Sequence, residues 1–303
     1  MTVPEQYKGR EQSYLKHRVL EEYLLGWGIK LGSVAQRGRR VRLCYVDGFA
    51  GPWQAKDAAL ADTSIAIGLD ALEAAITTWR SKGVEIDVDA FFVEKDARAF
   101  AELDRFLRGR TGAVRTQAYS GEFGDYGEEE LFALYRGQLK QQCGVAYAAD
   151  LAIPHPTIER TKFRLVVGGN NSKVLELFRD IERRVIGSEA ALIRNDAATR
   201  ATEQKTGQLS LLGMQRETDS HYASLHDQDL ARAPRDLLAQ VAAVKFAKFG
   251  DLWPRLLETH HIRKTELGQI AWDLHKRGEL RITNAQPRER TAKDEHILAV
   301  ALR

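Results

Sequence analysis

Apolar residues recur at helical spacing from Glu11 to Leu31, with Leu15, Val19 and Tyr23 on one line and Leu20, Leu24 and Trp27 beside it, which predicts an amphipathic helix. The polar stretch GSVAQRGRR interrupts it. VRLCYVDGFAG then follows as a β-branched and aromatic run that stops at glycine, the mark of a strand entering a turn. SIAIGLDALEAAITTW reads as a helix, EIDVDAFFVEKD as a second strand ending in charge, and ARAFAELDRFLRG as a helix closed by Gly109. VRTQAYSGEF is a third, weaker strand, YGEEELFALYRGQL a helix and GVAYAADL a short fourth strand. Strands that alternate with helices predict parallel pairing through right-handed crossovers, hence an open, Rossmann-like α/β sheet.

After Asp150 the pattern shortens: AIPHPTIERT reads as loop, KFRLVVGG as strand and SKVLELFRDIERRVI as helix. From Gly187 to Pro234 the chain is polar and irregular, which predicts a linker carrying at most short helical pieces. Helical spacing returns at Arg235 with Leu237, Val241 and Val244. FGDLWPRLLETHH and RKTELGQIAWDLHKRG give two further helices, with Trp253, Leu256, Leu257 and Trp272 as their core, and ELRIT and EHILAVAL can pair as strands around the turn NAQPRERTAKD. Helices followed by a two-stranded wing describe a winged helix-turn-helix.

Composition narrows the picture. No apolar run approaches the roughly 20 residues needed to cross a bilayer, and the start MTVPEQYKGREQ lacks the pattern of a secretory leader, so a cytosolic (cytoplasmic) protein without a membrane partner is expected. Cys44 and Cys143 are too few for a disulfide framework and show no thiolate-metal spacing; Cys44, within a strand, is expected to pack. His260 and His261 have no acidic or cysteine companion at ligand spacing, so no metal site is expected. The formal net charge is +3, but Arg277, Arg281, Arg288, Arg290 and Lys293 face only Glu279 and Glu289 in one segment, the natural candidate for a phosphate-facing surface.

In open α/β sheets ligands bind beyond the carboxyl ends of the strands. Asp47, Gly48, Ala50 and Gly51 lie in the turn after the first strand, where small residues let a ligand approach the backbone and a carboxylate accepts from an amino or hydroxyl group. Glu94 ends the second strand where a ribose-binding carboxylate belongs, and Gly121 and Glu122 follow the third. No GK[ST] ending accompanies the turn, which disfavours a triphosphate loop. The set suits an adenosyl-type cofactor; the bland reading is a structural turn and a solvated strand edge.

The segments YLKHRVLEEYLLGW, YVDGFAGPW, FFVEKD, SGEF, RTKFRLVVGG and FGDLWPRLLETHHIRKTELGQIAWDLHKRGEL together resemble the three-Cys-motif partner protein family, whose members have a class I methyltransferase-like domain. DGFAGP also resembles the S-adenosylmethionine loop of DNA methyltransferases. The resemblance implies an S-adenosylmethionine cofactor, with Asp47, Gly48, Phe49, Ala50 and Gly51 on its methionine side, Glu94 on the ribose and Gly121, Glu122 and Phe123 on the adenine side. It also implies a partner protein carrying three cysteines, of a radical-SAM-like kind.

At the fourth strand the chain departs from that pattern. It reads YAADLAIPHP where family members tend to show Asp-Pro-aromatic-Gly, so Asp150 remains as the candidate catalytic carboxylate while Leu151 and Ala152 replace its companions; neither an Asp/Asn-Pro-Pro-aromatic motif nor a Pro-Cys nucleophile is present. His155, between two prolines, is rigidly presented but alone. About a dozen residues separate Asp150 from the strand at Phe163, too few for the missing helices and strand of a full methyltransferase sheet, so an internal shortening is expected. The resulting organisation is a methyltransferase-like Rossmann domain over 1–186, a polar linker over 187–234 and a winged-helix module over 235–303. The module places Arg263, Lys264, Lys276 and Arg277 at helix ends and Arg288, Arg290 and Lys293 on the wing, facing nucleic acid. Two functions stay open: a methyltransferase acting on nucleic acid, or a nucleic-acid-binding or adaptor protein that keeps the fold without turnover.

Overall fold

A computed structural model describes residues 4–7, 11–48, 50, 62–120, 128–154, 161–187, 221–286 and 288–300. The chain divides into two compact units, Thr2–Gly127 and Glu128–Arg303 with Met1. The boundary expected at 186 therefore lies inside the second unit.

In the first unit β1 (Arg42–Asp47), β2 (Asp87–Glu94) and β3 (Arg115–Ser120) form a parallel sheet in the order β1-β2-β3. Each pair is joined by a helix, α2 (Ser64–Arg80) and then α3 (Ala97–Gly109), while α1 (Glu11–Ala35) precedes β1 and packs along α2. Val88, Ala90 and Phe92 fill one face of β2, and the Tyr45 ring meets Phe92 edge-on. Two glycines let α1 approach α2: a Cβ on Gly28 would lie 2.5 Å from the Ala75 methyl, and one on Gly32 would overlap the Trp79 indole. The opposite sheet face carries Cys44, Val46 and Tyr119, all exposed. Cys44 was expected to pack; strand alternation turns it away from the helices that cover Leu43. The amino ends of the strands are clamped by charge. Asp89 on β2 is held by Arg42 from β1 at 2.6 Å and by Arg115 from β3 at 2.7 Å, and the Arg115 hydrogen bonds keep its carboxyl below the usual carboxylate range against the opposing pull of desolvation.

The second unit begins with α4 (Glu128–Gln142), β4 (Tyr147–Pro154), β5 (Thr161–Gly169) and α5 (173–187). Here the expectation of parallel pairing fails: β4 and β5 form an antiparallel hairpin of their own. The link between them is too short for a crossover, which needs a dozen or more residues. Ala152–Pro154, expected as loop, belong to the strand.

α6 (His221–Val244) starts well before Arg235 and carries Pro234 in its interior, where the sequence suggested a linker ending. Leu237 and Val241 are buried, whereas Val244, at the helix end, is exposed. Lys245 then takes a left-handed φ of 67° and turns the chain into β6 (Phe246–Lys248), a strand the sequence did not announce. α7 (Phe249–Leu257), α8 (Lys264–Lys276), β7 (Leu280–Ile282) and β8 (Ile297–Val300) complete the unit, with a three-stranded antiparallel sheet in the order β6-β8-β7. Trp253, Leu256, Leu257, Leu298 and Trp272 form its core, as the helical spacing predicts. Among the described residues no helix is long and apolar enough to cross a membrane, and no cluster of His, Cys, Asp and Glu could hold a metal ion.

Candidate functional site

The parallel sheet brings its carboxyl ends to one edge. Asp47 pairs with Phe92 and Glu94 with Ser120, so Asp47, Glu94 and Ser120 share the helix-facing side of adjacent strands. Asp47 and Glu94 are offset by two positions along the sheet, which places their Cα atoms roughly 8 Å apart. The turn after β1 stays over β2, because the Ala50 N–H donates to the Val93 carbonyl at 3.1 Å.

Glu94 is 7% exposed, and its Oε1 accepts from the Asp96 N–H at 2.7 Å. Asp96 in turn caps α3 by accepting from the Arg98 and Ala99 N–H groups at 2.9 and 2.8 Å. The Glu94 carboxylate is thereby fixed at a helix N-terminus, where the helix dipole favours negative charge. Among the described residues its Oε2 has no partner. Asp47 lies within 3.4 Å of the Ser64 hydroxyl at the start of α2, and the Lys16 ammonium reaches the same hydroxyl at 3.2 Å. Two carboxylates at the strand tips, with two helix N-termini beside them, can accept from hydroxyl and amino groups of one ligand. Phe49, Gly51, Gly121, Glu122 and Phe123 lie outside the described residues, as does His155.

Asp150 belongs to the second unit, where it is engaged in ion pairs. It sits in the interior of β4, 7% exposed, paired with Arg136 of α4 and, at 3.4 Å, with Arg164 of β5. Its backbone carbonyl accepts from Arg179 at 3.0 Å. Arg179 is 1% exposed and also donates to the Leu257 carbonyl at 3.0 Å and to Glu182 at 2.7 Å. Glu182 accepts from His261 Nδ1 at 2.6 Å, and the His261 N–H donates to Asp229. Burial alone would raise the Glu182 pKa; the Arg179 charge, aided by His261, outweighs it and holds the carboxyl below the usual range. His260 bridges the Leu256 carbonyl and Asp236. Both histidines lie just past the end of α7 and have acidic companions supplied from α5 and α6, Glu182 for His261 and Asp236 for His260. These contacts join β4, α5, α6 and the end of α7 in a buried ionic web.

Most of the basic residues expected to face nucleic acid are paired within the chain. Lys264 lies over the Trp253 ring at 4.8 Å and binds Asp294 at 2.8 Å, while Arg263 caps α8 with Glu266 and borders a cavity of about 580 Å³ beside Arg183 and Arg184 of α5. Lys276 pairs with Asp273 and Arg277 with Glu279. In the β7–β8 turn Glu289 receives Lys293, the Gln286 N–H and His296, and the Lys293 hydrogen bond above all lowers its pKa to about 2. Arg288 and Arg290 stay exposed, with no ion pair among the described residues.

Compared with protein-family models, with curated proteins and with solved structures, the chain matches none of them.

Proposed function

We propose that the carboxyl edge of the β1-β2-β3 sheet binds an adenosyl-type cofactor, S-adenosylmethionine first among them, and that the protein is methyltransferase-like and acts on nucleic acid. One observation carries this reading: Glu94 is buried at a strand tip with one oxygen anchored and the other, among the described residues, unpartnered, beside Asp47 on the next strand. Glu94 would accept from the ribose hydroxyls through that second oxygen. Asp47 would take the amino group of the methionine end, with Ser64 keeping it oriented. S-adenosylmethionine, when bound, supplies an electrophilic methyl group on a sulfonium. The chain's own task is then to align an acceptor and exclude water. In the second unit, the element order α6-β6-α7-α8-β7-β8 and the strand order β6-β8-β7 support the winged-helix reading, with α8 as the groove helix and Arg288 and Arg290 on the wing.

A second reading is favoured by Asp150. Its carboxylate is engaged by two guanidinium groups inside a hairpin, which is the work of a structural ion pair, and this supports an adaptor that binds cofactor and nucleic acid without transferring the methyl group. Calorimetric titration of S-adenosylmethionine into the wild type and Asp47→Ala tests the binding: heat from the wild type and a weakened variant support it, and no heat from the wild type removes it. Methyl incorporation into DNA or RNA by the full chain separates the two readings. Turnover excludes the adaptor, and binding without turnover selects it.

A further inference from the structure

The antiparallel sheet β6-β8-β7 has two faces of opposite character. Leu280, Ile282 and Leu298 turn inward and are buried. On the other face Phe246 of β6 and Arg281 of β7 are both register partners of Ala299 on β8, one on each side of it. Phe246 is 68% exposed, and Arg281 is also exposed. Neighbouring strands lie about 4.8 Å apart, so the two side chains rise roughly 10 Å from each other across a floor made of one methyl group. Lys248, exposed and opposite Ile297, follows Phe246 on the same face.

The charge on this face is one-sided. Its described strand positions carry no carboxylate; Glu279, at the flank, is held by Arg277 at 2.6 Å. Among the described residues Lys248 and Arg281 form no ion pair. Lys245, just before β6, is exposed and adds a further cation at the start of the strand, from a left-handed backbone position that glycine fills more readily. Phe246 thus holds a large aromatic ring in water beside strand positions whose only charges are positive.

We propose that this face binds single-stranded nucleic acid, one base lying over Ala299 between the Phe246 ring and the Arg281 guanidinium, with Lys248 meeting the backbone phosphate. The roughly 10 Å between the two strands leaves room for a base plane between two flat groups that lean toward each other over Ala299. Stacking on aromatic rings and guanidinium planes is how unpaired bases are held without reading sequence. The inference rests on the nucleic-acid half of the proposed function and moves the contact from the wing to the sheet; it is independent of the cofactor.

The test is fluorescence anisotropy of the full chain with labelled twelve-nucleotide oligo-dT and oligo-U, and with a duplex of equal length. Phe246→Ala should weaken single-strand binding about tenfold or more and leave duplex binding unchanged, and Phe246→Trp should restore it. Because the ring is exposed, thermal unfolding of both variants should match the wild type. Equal single-strand affinity of wild type and Phe246→Ala overturns the proposal. If Arg288→Ala with Arg290→Ala abolishes binding while Phe246→Ala does not, nucleic-acid binding stands and this site falls. If the wild type binds no oligonucleotide, both fall, while cofactor titration is untouched. Concentration-dependent self-association that Phe246→Ala removes would assign the face to a second copy of the chain and also overturn it.

Discussion

Arg179 is the residue on which the second unit turns. It touches a strand carbonyl, a helix-end carbonyl, Glu182 and His261 from a fully buried position, so its removal leaves Glu182 charged in a dry interior. Breaking a buried pair by deleting one partner typically costs about 3 to 5 kcal/mol. Arg179→Met should lose stability on that scale in urea unfolding, and adding Glu182→Gln should recover part of the loss; a single variant within about 0.5 kcal/mol of wild type would refute the role. Acid dependence follows from the same pair. The folded pKa of Glu182 lies below the unfolded value of about 4.3, so its stabilisation is complete above that pH and disappears as pH falls through the lowered folded value. Glu182→Gln should therefore be weaker at pH 7 and lose less stability than the wild type as pH falls below the unfolded value of about 4.3. None of this was legible in the sequence. An arginine and a glutamate three apart on a helix read as a solvated pair, and their third partner, His261, is supplied by a distant segment. Asp47 and Glu94 were legible because a strand that stops at a small or acidic residue announces its own tip.

At the scale of elements, periodicity located the helices and the three parallel strands, because burial of one face repeats locally along the chain. It did not supply the pairing of β4 with β5, which depends on loop length, nor β6, whose three residues are too few to show a period. Pro234 was misleading, since a proline that lacks its N–H reads as a boundary yet sits inside α6. The contact of α1 with α2 makes a sharp prediction. Gly32→Ala would drive a methyl into the Trp79 indole and should cost about 1 to 3 kcal/mol, the usual penalty of overpacking. Gly109→Ala, at the end of α3 with open space around its Cβ position, is the control and should be neutral or slightly stabilising. Equal urea midpoints for the two variants would contradict the close packing of these helices.

At the scale of the whole molecule the chain is two compact units, and the terminal helices and sheet do not stand apart from the segments before them. Glu258 accepts from the Ala148 N–H at 2.7 Å and pairs with Lys140 of α4, while Asp229, ahead of residue 235, holds the His261 backbone. A fragment of residues 235–303 should therefore fail to unfold cooperatively, whereas one of residues 128–303 should show a single sigmoidal transition by circular dichroism; a cooperative short fragment would show that the web is dispensable. In the first unit the proposed cofactor site is tested by calorimetric titration with S-adenosylhomocysteine, wild type against Glu94→Ala. A charge-assisted pair of hydrogen bonds to a buried carboxylate contributes on the order of 1.5 to 3 kcal/mol, so binding should be saturable and Glu94→Ala should weaken it more than tenfold with the fold intact. A wild type that takes up no ligand, or a Glu94→Ala protein that binds as tightly as the wild type, would contradict it.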